Sequence, residues 1–249
     1  MLKQIPNVIT SLNLLSGSVA VMFALSGDLV SAAFFAFAGI FFDFFDGLAA
    51  RLLKAESAVG LELDSLADMV TSGLVPGVIM VQMISKAVSG DYFVITEIFA
   101  DNAWNNAGSY IPLVGLLITV ASAYRLAKFN VDTRQTLGFI GLPTPANTLL
   151  ILSLPLILHF QYSDALKDLI LNKWVLVGLT VLSSILLNAE IRLFGLKFKN
   201  WDFKSNAKRY IFLLISLILL IVFQFLAIPM VILIYIVMSF LWKENLVTQ

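Results

Sequence analysis

Apolar positions run in long blocks along the chain, and the blocks set its organisation. Stretches near 7–26, 29–52, 62–86, 109–128, 143–161, 173–191, 208–226 and 228–242 are strongly apolar. A helix crossing a bilayer needs about 20 mostly apolar residues, so the pattern predicts an all-α integral membrane protein with about eight spans. Polar punctuation separates the blocks. RLAKFNVDTRQTLGFIGLPTP, between the fourth and fifth, reads as a turn region, with Pro143 and Pro145 opening the helix that follows. SGDYFVITEIFADNAWNNAGSY, between the third and fourth, predicts a short interfacial helix. The final two blocks, YIFLLISLILLIVFQF and LAIPMVILIYIVMSFLW, hold almost no polar residues. They are expected as a lipid-facing pair over 201–249, added to a core over 1–200.

Composition strengthens the membrane reading. The 249 residues are 59% hydrophobic and 13% charged, with a mean hydropathy of +0.93, whereas soluble domains carry about 25% charged residues. The N-terminal run follows a single lysine and lacks a good cleavage pattern, so it predicts a first span and not a removed signal. Absence of cysteine excludes disulfides and thiolate chemistry, and one histidine, His159, excludes a multi-histidine metal site. Zero net charge argues against a nucleic-acid partner.

Charge also orients the chain. With the N-terminus in the cytoplasm, 13 of the 16 basic residues fall on cytoplasmic segments, leaving only Lys86, Lys167 and Lys173 outside. Cytoplasmic loops carry the excess of Lys and Arg, so both termini are expected inside, in the cytoplasmic (inner) membrane.

Against this apolar background, four aspartates stand out. Asp43, Asp46, Gly47 and Ala50 share a helical face, and Gly60, Asp64 and Asp68 share a face of the next helix. Ionisable residues within spans are costly and face a cavity, a partner or a metal. Four carboxylates brought together repel unless a cation neutralises them, and oxygen-rich sites suit Mg²⁺ or Mn²⁺. Gly47, Ala50 and Gly60 leave room for a ligand to approach the backbone, and Arg51 could hold a phosphate. An Asp46–Arg51 ion pair, or an acidic cation site in a small transporter, are the plainer readings of the same residues.

The full pattern D-x2-D-G-x2-A-R-x8-G-x3-D-x3-D, from Asp43 to Asp68, resembles the defining motif of the CDP-alcohol phosphatidyltransferases. That resemblance implies a six-helix core, a CDP-linked lipid donor, release of CMP, and Mg²⁺ or Mn²⁺, with two ions expected. It implies that Asp43, Asp46, Asp64 and Asp68 ligate metal and that Asp68 is the general base. Asp46, Gly47, Ala50, Arg51 and Gly60 would contact the CDP-lipid.

Further stretches bear on the acceptor. GLELDSLADMVTSGLVPG, YRLAKFNVD, FIGLPTPAN and IPNVITSLNLLSG are similar to segments of the phosphatidylserine-synthase subgroup, and AEIRLFGLKFKN more loosely so. This implies CDP-diacylglycerol and L-serine as substrates and a homodimer among membrane lipids. Three positions depart from the subgroup: Ser72 stands for Phe, Lys128 for Arg, and Asn147 for a small apolar residue. Arg125 is the candidate for the serine carboxylate, with Ser122 and Asn130 nearby in sequence. Arg125 and Lys128 can also be read as anchors snorkelling to the interface. Glycerol 3-phosphate or inositol phosphate as acceptor, and a prenyltransferase with a differently spaced Asp cluster, are the enzymatic rivals.

Overall fold

The computed structural model describes residues 4–96, 110–132, 134, 138–195 and 202–241. Helices account for most of them: α1 (Ile5–Leu25), α2 (Leu29–Leu52), α3 (Ala58–Asp68), α4 (Val75–Ser89), α5 (Leu117–Val131), α6 (Thr144–Phe160), a short α7 (Asp164–Ile170), α8 (Lys173–Asn188), α9 (Phe203–Phe223) and α10 (Ala227–Leu241). The all-α membrane architecture expected from the apolar blocks is therefore present. Five described helical runs are long and apolar enough to cross a membrane, and six if α7 and α8, bent by 56°, count as one. The interfacial helix expected before α5 falls largely on residues 97–109, outside the described residues.

Small residues bring the first helices together. Ala20 and Ala24 of α1 and Ala32, Ala33 and Ala36 of α2 are fully buried. In lipid, where water gives no drive for helices to associate, such faces allow the close packing that does. α2 ends at a left-handed Lys54, φ 49°, with Ala55 N–H donating to Ala50 C=O and Lys54 N–H to Arg51 C=O. This Schellman-type reversal is followed at once by Ser57, whose side chain accepts from Gly60 N–H and caps α3. The short reversal sets the two aspartate stripes against one another.

α3 does not run directly into α4. Residues Met69–Leu74 form a wide π-helical turn, a feature common at functional sites. Neighbouring helices pin it: Thr119 Oγ1 of α5 donates to Gly73 C=O (3.1 Å), and Thr148 Oγ1 of α6 donates to Ser72 C=O (3.0 Å). On the other side, Thr71 enters a notch made by two glycines. A Cβ on Gly17 would lie 2.3 Å from Thr71 Oγ1, and one on Gly39 would lie 2.6 Å from Thr71 Cγ2.

The sequence pattern did not foretell a two-stranded antiparallel ribbon, β1 (Gly138–Ile140) paired with β2 (Arg192–Phe194). Gly141, φ +77°, turns the chain from β1 towards α6, and a Cβ there would lie 2.5 Å from Leu187 C=O. Lys128 and Arg134 both pair with Glu190 beside the ribbon. The hydrogen bond from Lys128 holds the Glu190 carboxyl below its ordinary range. This tie is in place at neutral pH and is lost as pH falls through the lowered pKa.

α9 and α10 fold back as a hairpin. The rings of Phe212 and Tyr235 are 5.6 Å apart, whereas a continuous helix would separate them by roughly 35 Å at 1.5 Å per residue. Leu214, Leu217, Ile218 and Ile221 are exposed. The inner face does more than expected: Phe212, Ile232, Tyr235 and Met238 pack on Leu142, Leu193 and Phe194, and Tyr235 Oη donates to Phe194 C=O at 2.8 Å.

Candidate active site

The aspartate stripes meet where α2 and α3 face each other. Asp43, Asp64 and Asp68 each present a carboxylate oxygen, and these three oxygens lie within 4.8 Å of one another. Asp46 lies outside this group of three. Its side chain is buried, its Oδ2 has no hydrogen-bond partner, and neither does Oδ1 of Asp64. Partnerless buried carboxylate oxygens, beside three clustered carboxylates, fit a hard divalent cation with oxygen ligands.

Next to the cluster is a cavity of about 570 Å³, lined by Thr10, Asp46, Gly47, Ala50, Arg51, Gly60 and Asp64 among others. Every motif residue assigned to the donor lipid is therefore on its wall. A Cβ added to Gly47 would meet only Arg51 Nη2 within 4 Å, so this glycine faces open space. Arg51 Nε donates to Gly47 C=O at 2.9 Å. Among the described residues no ion pair joins Arg51 to Asp46, which leaves the guanidinium's outer nitrogens available to an anion.

Asp68 is positioned by a residue of the IPNVITSLNLLSG stretch to which the sequence alone assigned no role. Asn13 of α1 is fully buried and donates from Nδ2 to Asp68 Oδ1 at 3.3 Å. Thr71 Oγ1 donates to Asn13 Oδ1 at 2.7 Å, which fixes the orientation of the amide. The buried residues Pro6, Thr10, Asn13 and Gly17 recur along one face of α1. Their polar and small character at helical spacing was the available signal.

On the far side of the π-turn lies a second polar group. Arg125 is buried, donates from Nη1 to Thr144 Oγ1 (3.2 Å), and interacts electrostatically with Asp68. Ser122 is buried one turn earlier on α5. Asn130 is instead directed to α3, where Nδ2 donates to Ser65 Oγ at 2.8 Å. Lys128 is held by Glu190, leaving Arg125 as the buried cation of the site.

A carboxylate cluster on apolar helices, beside a cavity with an arginine on its wall, suits a candidate transferase site, and comparison with known proteins agrees. The family described as CDP-alcohol phosphatidyltransferase matches residues 3–186. The chain belongs to that family. Curated relatives include the CDP-diacylglycerol–serine O-phosphatidyltransferase of Bacillus subtilis (strain 168), 33% identical over 169 residues, covering 66% of this chain and 80% of the relative. That of Helicobacter pylori (strain J99) is 29% identical over 223 residues, covering 88% and 81%. The enzyme of the same name in Methanocaldococcus jannaschii is 28% identical over 182 residues, covering 73% and 72%. These matches support a transferase and give the cation-transporter reading no support.

Proposed function

We propose that this protein transfers the phosphatidyl group of CDP-diacylglycerol to the hydroxyl of L-serine, giving phosphatidylserine and CMP. One observation carries the reading. Asp43, Asp64 and Asp68 gather their carboxylates within 4.8 Å of one another, beside a cavity lined by Asp46, Arg51 and Asp64, and Asp68 interacts with the buried Arg125 through charge. The names of the relatives support serine as the acceptor.

In this reading the CDP moiety occupies the cavity, its approach allowed by Gly47, Ala50 and Gly60 and its phosphate met by Arg51. Asp43, Asp46, Asp64 and Asp68 hold Mg²⁺ or Mn²⁺, which when bound stabilises charge on the reacting phosphoryl group and on departing CMP. Arg125, with Ser122, orients serine through its carboxylate. Asp68 takes the proton from the serine hydroxyl, as general-base catalysis of a weak nucleophile requires. The serine oxygen then bonds to the phosphorus bearing the lipid, and the bond from that phosphorus to the CMP oxygen breaks. Asn13 keeps the Asp68 oxygen aimed throughout. Asn130, engaged with Ser65, supports α3 from the acceptor side.

The same reading includes eight crossings with both termini in the cytoplasm, a six-helix core over 1–200 with the hairpin over 201–249, and a homodimer in the cytoplasmic membrane. The charge distribution supports the orientation. Purified protein with CDP-diacylglycerol, Mn²⁺ and a panel of alcohols tests the chemistry: serine should drive CMP release. Release with glycerol 3-phosphate or inositol phosphate in its place would overturn the acceptor assignment, and no release with any alcohol would overturn the reaction.

A further inference from the structure

Side chains that a membrane protein buries normally find partners, because no water reaches the apolar interior to replace them. Around the π-turn several do not. Asn147 of α6 is 0% exposed, yet both Nδ2 and Oδ1 lack a hydrogen-bond partner. Ser72 in the π-turn is 1% exposed and Ser122 on α5 is 0% exposed, and both hydroxyls are unpartnered. Arg125 Nε is in the same condition.

These groups belong to one place. Asn147 lies between Thr144, which binds Arg125, and Thr148, which binds the Ser72 carbonyl. A Cβ added to Gly73, next to Ser72, would lie 3.2 Å from Ser122 Cβ. The π-turn that follows Asp68, α5 and α6 thus carry these unpaired polar groups at positions where the three elements touch. Buried polar groups are normally hydrogen-bonded, and a cluster of them without protein partners marks a place where water, an ion or a polar ligand can bind.

The donor and acceptor inventory defines that molecule. Arg125 Nε and Asn147 Nδ2 are donors suited to a carboxylate, and Arg125 is the one buried cation among the described residues. A single cation matches a monoanionic carboxylate better than a doubly charged phosphate. Asn147 Oδ1 and the Ser72 hydroxyl are acceptors suited to an ammonium group. We propose that Asn147 and Ser72 are specificity-determining residues that hold the α-ammonium group of an amino-acid acceptor whose carboxylate lies on Arg125. This rests on the acceptor reading given above and assigns it two further residues.

The test uses full-length enzyme in detergent with CDP-diacylglycerol and Mn²⁺, comparing wild type with Asn147→Leu and Ser72→Ala. Three constants are measured: KM for serine, KM for CDP-diacylglycerol, and Ki of 3-hydroxypropionate, which keeps the carboxylate and hydroxyl of serine and lacks its ammonium. Each substitution should raise the serine KM about tenfold, the scale of one lost hydrogen bond, and leave the other two constants unchanged. An unchanged serine KM in both variants overturns the assignment. So does a rise of all three constants together, which marks a structural role. Wild-type enzyme inert towards serine would overturn the acceptor reading itself, and with it this refinement.

Discussion

Asp68 is held by an amide whose own orientation is fixed, and that arrangement separates two kinds of residue around the reacting hydroxyl. Asp68→Asn removes the proton acceptor and should lower kcat by about 10²–10⁴-fold while CDP-lipid binding persists in a direct binding assay. Comparable loss of binding would make Asp68 chiefly a structural or ligand residue. Asn13→Ala removes only the positioning bond. Its kcat should fall about tenfold with both KM values held, and a change confined to KM would contradict the positioning role. The aspartates were legible in the sequence because charged residues in an apolar helix need a reason to be there. Asn13 was less so: one buried Asn is ordinary, and only its spacing from Thr10 and Gly17 marked the face it belongs to. The partner of Arg125 was not legible at all, since Thr144 belongs to the next helix along the chain.

At the scale of elements, the π-turn and the α2–α3 reversal carry the site. Thr71 fills the notch between Gly17 and Gly39 so closely that a methyl group cannot be added without displacement. Gly39→Ala should destabilise the folded protein by about 1–3 kcal/mol, as overpacking does, measured as a fall in Tm in detergent. No change would mean that α1, α2 and the turn separate freely. Lys54→Gly should do the opposite, relieving a left-handed non-glycine residue worth about 1 kcal/mol, and a lowered Tm would contradict that account of the reversal. Helix positions followed from the apolar blocks within a few residues, because a span's length is imposed by the bilayer. The π-turn left no such trace, since one extra residue in a helical turn barely alters composition or period. The ribbon was equally hidden, its strands of three residues being too short to show alternation.

For the whole molecule, the hairpin of α9 and α10 is more than a lipid-facing appendage, because Tyr235 ties it to β2 and so to the loop that leads into α6. The chain has no cysteine, which makes its orientation directly measurable. Single cysteines replacing Ala55 and Ser163 should react with an impermeant maleimide from opposite faces of sealed vesicles, Ala55→Cys from the cytoplasmic face. Reaction of both from one face would contradict the orientation drawn from the basic residues. Removal of divalent cations with a chelator should abolish CMP release, and Mn²⁺ or Mg²⁺ should restore it. Full activity in excess chelator would contradict metal binding by the carboxylates. The central claim is tested most directly by CMP release from CDP-diacylglycerol by the purified, metal-supplied protein. CMP should appear in step with phosphatidylserine when L-serine is added, and failure of any alcohol to release CMP would contradict the account.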